Sequence, residues 1–158
     1  MSTSNFRPNI LWICTDSQRA DTIGALGNPH ICTPNLDRLS AEGVAFTRAY
    51  AQCPICTPSR SSFLTGTYPS TAHACGNGTP TFSNRYPLVT RLLADAGYDC
   101  GLIGKLHLAS AYGQVEPRVN DGYRFWRYSH APRDDWSEGH DYADWVRRQG
   151  VSLADLIK

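Results

Sequence analysis

The first sustained pattern in the chain is a continuous apolar run, Asn9 to Thr15 (N-I-L-W-I-C-T), which ends on Asp16. A short run without polar alternation predicts a strand buried on both faces, as at the centre of a parallel sheet. Thr33 to Gly43 then reads T-P-N-L-D-R-L-S-A-E-G. Thr33 suits an N-cap, Pro34 the first helical position and Gly43 the stop, which predicts a helix between them. Val44 to Tyr50 reads as a second strand, and Thr57 to Thr65 as a helix opened by Pro58. Pro87 to Ala96 predicts a helix with Leu88, Leu92 and Leu93 on one face and Gly97 closing it. Asp99 to Ile103 is a short strand leading into G-K-L-H-L. This alternation predicts an α/β fold, a largely parallel sheet flanked by helices. Tyr112 to Trp145 mixes aromatic and charged residues with little periodicity and reads as long loops, with a helix near His140 to Gln149. No repeat, low-complexity tract or linker interrupts the chain.

Composition narrows the class. With 158 residues the chain suits one modest domain with its own core. Its 41% hydrophobic and 18% charged residues describe a soluble globular protein. A formal net charge of +1 gives no electrostatic argument for nucleic acid or a membrane surface as partner. The N-terminus, M-S-T-S-N-F-R-P-N, has no charged segment leading into an apolar one, so no signal peptide is expected. No apolar stretch approaches the ~20 residues of a membrane span. The six cysteines are accordingly expected to be reduced thiols in a cytoplasmic protein.

Three features fall just past the carboxyl ends of predicted strands, where an open α/β sheet builds its site. They are Asp16, then Cys56 with Arg60 at the start of a helix, and then Lys105 with His107. A helix N-terminus offers free N–H groups and a partial positive charge. Arg60, Lys105 and His107 add cations or donors, and Asp16 among them suggests a bound divalent cation. Together they suit an anionic group with tetrahedral oxygens. Each has a plainer reading: Asp16 as a helix cap, Lys105 as a solvated lysine, His107 as a satisfied core histidine, Cys56 as a buried inert thiol. The C-P-I-C spacing of Cys53 and Cys56 suggests a redox couple or half a zinc site. No second C-x-x-C is present to complete the latter, and Cys53 reads as a small core residue. Trp126, Trp136 and Trp145 read as core and lid packing, and Arg147 and Arg148 as a solvated helix face.

Cys56 to Gly66, C-T-P-S-R-S-S-F-L-T-G, resembles the signature of the type I sulfatases, in which Cys or Ser is followed by x-Pro-Ser-Arg and then Leu-Thr-Gly. Three further stretches match that family in order. They are P-N-I-L-W-I-C-T-D, T-P-N-L-D-R-L-S-A-E-G-V-A-F-T-R-A-Y and G-Y-D-C-G-L-I-G-K-L-H-L. The resemblance runs from about Arg7 to about His107 and weakens through Tyr123 and beyond. It implies an alkaline-phosphatase-like α/β fold and conversion of Cys56 to Cα-formylglycine by a maturation enzyme. It implies hydrolysis of an organic sulfate ester by a geminal-diol nucleophile held on a divalent metal, usually Ca2+. Arg60 would then fix the nucleophile, Lys105 would hold a sulfate oxygen, and His107 would bond the diol or move a proton. Asp16 would be a metal ligand. His73 and Asn77, just after the signature, are candidate substrate contacts, with loop packing as the alternative.

Two departures bear on this reading. Many sulfatases carry a second acid directly after the first, where this chain has Ser17, a weaker ligand. The later S-D-H-G or S-D-N-G block is absent from Asp121 to Lys158. The chain thus reads, over residues 1–158, as the N-terminal part of a sulfatase catalytic domain that lacks half its metal site. A structure of these residues is expected to expose apolar sheet and helix surface. A phosphonate or phosphate ester hydrolase of the same fold is the enzymatic alternative, and an inactive fragment or interaction domain the non-enzymatic one.

Overall fold

The computed structural model describes residues 7–112, 114–131, 133, 136 and 138–156. The N-terminal stretch in which no signal peptide is expected begins with residues 1–6, which lie outside that set. Two compact units are present, Met1–Tyr50 and Ala51–Lys158.

The first unit is built around helix α1 (Pro34–Glu42) and two 3-10 turns, Ala20–Thr22 and Gly24–Leu26. α1 has the bounds its punctuation predicts: Thr33 precedes it, Pro34 opens it and Gly43 follows it. Thr33 does not cap its own helix through its hydroxyl. That oxygen accepts from the Gly24 N–H and donates to Asp37 Oδ1, both at 2.8 Å. Asp37 Oδ1 also accepts from Ala25 N–H, so one carboxylate ties the second turn to α1.

Both strands expected in this unit are corrected. Asn9–Thr15 and Val44–Tyr50 form no ladder among the described residues, and their side chains are exposed, Leu11 at 84% and Phe46 at 80%. An apolar run is a strand only when a neighbour accepts its backbone bonds, and no described segment does so. The apolar side chains of these segments are thus exposed outside any sheet or helix, and the expected exposed apolar helix and sheet surface is found at Leu39 of α1, 56% exposed, and at Ile103 of the second unit, 80% exposed.

The second unit holds α2 (Cys56–Thr65), α3 (Val89–Asp95), α4 (Asp141–Arg148), α5 (Leu153–Leu156) and the strands β1 (Gly101–Gly104) and β2 (Phe125–Tyr128). β1 and β2 pair in parallel, with Gly101 opposite Phe125 and Gly104 opposite Tyr128. β1 falls on the predicted strand, shifted toward G-K-L-H. β2 lies in the segment expected to be loops: its F-W-R-Y is too short and too mixed to announce itself, and pairing with β1 fixes it.

α3 ends in a Schellman motif, with Gly97 at φ 88°, its N–H on the Ala94 carbonyl and the Tyr98 N–H on the Leu93 carbonyl. Of its expected apolar face, Leu88 is buried, Leu93 is half-buried and Leu92 is exposed. The Thr90 hydroxyl donates to the Asp121 carbonyl at 2.6 Å, which turns the opposite side of the helix inward. Gly122, at φ 81°, lets the loop approach α3 closely, since a Cβ there would meet Thr90 O at 2.7 Å.

Two apolar clusters fill the unit. One gathers Leu64, Phe82, Leu88, Leu106 and Leu108, and the other Tyr128, Trp136, Val146 and Leu153, with half-buried Trp126 touching both. Trp136 is core as expected. Trp145 is 54% exposed and stacks on Tyr142, which corrects its assignment to packing. Arg147 and Arg148 lie on the exposed face of α4, with Arg147 paired to Asp144 at 2.7 Å. No described helix is long and apolar enough to cross a membrane.

Candidate active site

α2 places the signature. Cys56 is its first residue, half-buried, after Ile55 in extended conformation. Pro58 occupies the third helical position, where its missing N–H would have had no helical partner. No side chain of the helix entrance caps it. Instead Asn77 Oδ1, twenty residues on, accepts the Thr57 N–H at 2.9 Å. Gly66, at φ 68°, closes the helix with its N–H on the Ser62 carbonyl.

The helix is unusual in what it buries. Thr57, Arg60, Ser61 and Ser62 are buried together with Pro58 and Leu64. The hydroxyls of Thr57 and Ser61, one helical turn apart, have no hydrogen-bond partner among the described residues. Arg60, 9% exposed, donates from Nη1 to the Lys105 carbonyl at 2.8 Å. This bond brings the signature helix onto the segment that follows β1.

That segment carries Lys105 and His107. Lys105 is half-buried, and His107 is 8% exposed and left-handed, at φ 57°. Such a conformation in a non-glycine residue persists only where surroundings enforce it. The enforcing group is Glu116, 2% exposed. Its Oε2 accepts the His107 N–H at 2.6 Å, and its Oε1 accepts the Leu108 and Ala109 N–H groups at 2.6 and 3.0 Å. Burial raises the Glu116 pKa, and the three N–H bonds and nearby Arg60 offset part of that. The sequence reading missed Glu116, since a lone acid in an aperiodic loop carries no signal.

His107 also lines a cleft of about 470 Å3 with Asn77, Ser110, Tyr112, His130, Arg133 and Trp136. The His107 and His130 rings meet edge to face, with centroids 4.6 Å apart. His130 donates its backbone N–H to His140 Nε2 at 3.0 Å, while His140 Nδ1 receives the Ala143 N–H at the start of α4. A neutral imidazole has one bare nitrogen and accepts one of these at a time, and protonation removes both acceptors. Burial lowers the His140 pKa accordingly. Burial also pushes Tyr128, beside Glu116, up to about 12. A second depression, about 530 Å3, lies by Ser62, Gly66 and Tyr68 at the far end of α2 and holds none of the predicted site residues.

The structure thus connects Arg60 to Lys105, Asn77 to the helix carrying Cys56, and both Asn77 and His107 to one cleft. His73 is exposed in a left-handed turn and does not line that cleft. In the first unit Asp16 is exposed, and the Ser17 hydroxyl, on a residue at φ 56°, donates to Asp16 Oδ1 at 3.3 Å. Oxygen donors of this kind suit a hard divalent cation. The described residues contain no cluster of three or more His, Cys, Asp or Glu that would complete a metal site. All six cysteines are free thiols, and Cys53 is half-buried.

Comparison with known proteins accords with these features. A family model described as Sulfatase matches residues 8–158. The chain is 38% identical to the ulvan-active sulfatase of Formosa agariphila over 125 residues, 77% of this chain and 24% of that protein. It is 35% identical to human arylsulfatase H over 138 residues, 78% of this chain and 25% of that protein. The crystal structure of the phosphonate monoester hydrolase of Agrobacterium radiobacter superposes on 91% of this chain and 29% of its own, with a TM-score of 0.70 and 28% identity. The chain spans about a quarter of the length of the curated relatives it matches.

Proposed function

The chain belongs to the sulfatase family, with its alkaline-phosphatase-like α/β fold, and on that premise we propose that the protein carrying it hydrolyses an organic sulfate ester. In this reading residues 1–158 form the N-terminal part of the catalytic domain. Cys56 is converted to Cα-formylglycine by a maturation enzyme, and its hydrate supplies the nucleophilic hydroxyl. What supports this most is the bond from Arg60 to the Lys105 carbonyl, which joins the signature helix to the Lys105–His107 segment.

The roles follow from position. Cys56 stands at the first position of a ten-residue helix, whose N–H groups and partial positive charge favour an anionic group. Arg60, fixed at one nitrogen, keeps further donors for developing negative charge. Lys105 supplies a cation for a sulfate oxygen, and His107, in the cleft, moves a proton to or from the reacting oxygens. Asp16, with Ser17 as the weaker partner, would hold a divalent cation, Ca2+ by the family resemblance. When bound, that cation supplies Lewis-acid charge.

A second reading, a phosphonate ester hydrolase, is favoured by the superposition on the Agrobacterium enzyme. Lys105 and His107 lead us to prefer sulfate. The deciding measurement is turnover of matched aryl sulfate and aryl phosphonate esters by the whole protein. A phosphonate preference would reverse the choice. The mass of the tryptic peptide Ala49–Arg60, from cells holding the maturation enzyme, separates both readings from an inactive interaction domain. An aldehyde at Cys56 is expected, and an unmodified thiol there would count against catalysis by this route.

A further inference from the structure

We infer that Glu116 is the positioning residue of the site: its buried carboxylate holds the backbone of His107, Leu108 and Ala109 and thereby aims the His107 ring into the cleft. The inference rests on the reading of His107 as a site residue. It goes beyond that reading by assigning a residue that no motif contains.

Three observations carry it. The carboxylate has no exposed face, at 2% exposure, and spends both oxygens on consecutive N–H groups. The first of these belongs to a residue in the left-handed region, at φ 57°, where a histidine stays only if its neighbours outweigh the strain. The same segment is gripped from its other end by Arg60 at the Lys105 carbonyl. Arg60 takes the Lys105 carbonyl, two residues before His107, and Glu116 takes the amides from His107 onward, so the backbone that carries the ring has little freedom. The contact with the His130 ring at 4.6 Å then limits its tilt within the cleft.

The chemistry of the clamp calls for an acid. Three N–H groups converging on one side chain need acceptors at both ends, which an ionised carboxylate provides. A glutamine has an acceptor at one end only, and its NH2 would face an N–H at the other. Replacement by glutamine therefore changes little in volume yet releases part of the segment. An aspartate keeps both acceptors on a stem one methylene shorter and restores the bonds in part.

The test uses the whole protein carrying this chain, matured in cells with a formylglycine-generating enzyme, as wild type, E116Q and E116D. Amide hydrogen exchange of the 105–111 segment is followed by mass spectrometry, with kcat and KM on 4-nitrophenyl sulfate and on a matched phosphonate. In E116Q we expect faster exchange confined to residues 107–109. We expect kcat to fall roughly 10²-fold on whichever ester the wild type prefers, as for a reacting group displaced by about 1 Å. KM and the formylglycine content should stay near wild type, and E116D should recover part of kcat. Unchanged exchange in E116Q overturns the inference, and so does lost protection with kcat intact. A fall in kcat that merely tracks lost folded protein, with kcat per folded molecule unchanged, also overturns it. Should E116Q not fold, E116D is judged by the same criteria. If the wild type turns over neither ester, the proposed function fails. The exchange pattern, with the His107 ring resonances in E116Q, then decides the positioning role alone: movement of both sustains it, and failure of either to move overturns it.

Discussion

Arg60 Nη1 donates to the Lys105 carbonyl oxygen at 2.8 Å, so a side chain of α2 holds the backbone of a segment 45 residues further along the chain. Two stretches that look independent in sequence thus share one hydrogen bond, made by a charged group that is 9% exposed. The physical consequence is that the Arg60 guanidinium is anchored on a backbone carbonyl.

Replacing Arg60 should therefore cost stability as well as activity. R60A leaves the Lys105 carbonyl without its donor, and we expect a loss of about 1.5–3 kcal/mol in urea unfolding, the range for a hydrogen bond to a charged group. R60K keeps a charge but not the planar fork, and should recover little of either property. Wild-type stability in R60A would show that the bond contributes nothing.

Asn77 acts as a remote cap for α2 through the Thr57 N–H. N77A should lower stability by about 1 kcal/mol, as for loss of a helix cap. N77D keeps the acceptor and adds a negative charge at the helix N-terminus, so its stability should equal or exceed the wild type's. The same charge opposes an anionic substrate, and KM for the ester should rise. Equal KM for N77D and wild type would place the ester away from this helix end.

Gly122 is required by the close approach of its loop to α3. In G122A the new Cβ meets Thr90 O and Arg91 Cα at 2.7 Å, on a residue at φ 81°. We expect a loss of at least about 1–3 kcal/mol, the cost of a non-glycine residue in that region. Thermal unfolding reads it directly, and a shift within error would mean that the loop relocates freely.

His140 sets a pH dependence of stability. Its folded pKa lies below the ordinary 6.5, chiefly through burial, with Asp144 and Asp141 opposing that and Arg147 adding to it. Above 6.5 the ring is neutral in both states and its contribution is fully present. As the pH falls below 6.5, the unfolded chain takes a proton that the folded chain resists, so stability is lost until the lower folded pKa is passed. Urea unfolding at pH 8 and pH 5.5 should show a larger acid loss for the wild type than for H140N, which keeps a capping acceptor without titrating. Parallel pH curves would assign the acid loss to other groups.

What the sequence determined by itself is local. The punctuation of Thr33-Pro34 and Gly43 fixed α1, Pro58 and Gly66 framed α2, and Gly97 closed α3, because caps and breakers act over a few neighbouring residues. The order of the motifs marked Cys56, Arg60, Lys105 and His107. Only the tertiary structure decided what those elements face. α2 buries threonine, serine and arginine, contrary to any hydrophobic pattern, because its neighbours enclose it. β2 exists because β1 accepts its backbone bonds, while the more strand-like Asn9–Thr15 finds no such partner among the described residues. Glu116 matters because folding brings its two oxygens to three amides seven to nine residues earlier. Hydrogen-bond partners of that kind are set by where the chain returns in space, which no periodicity encodes.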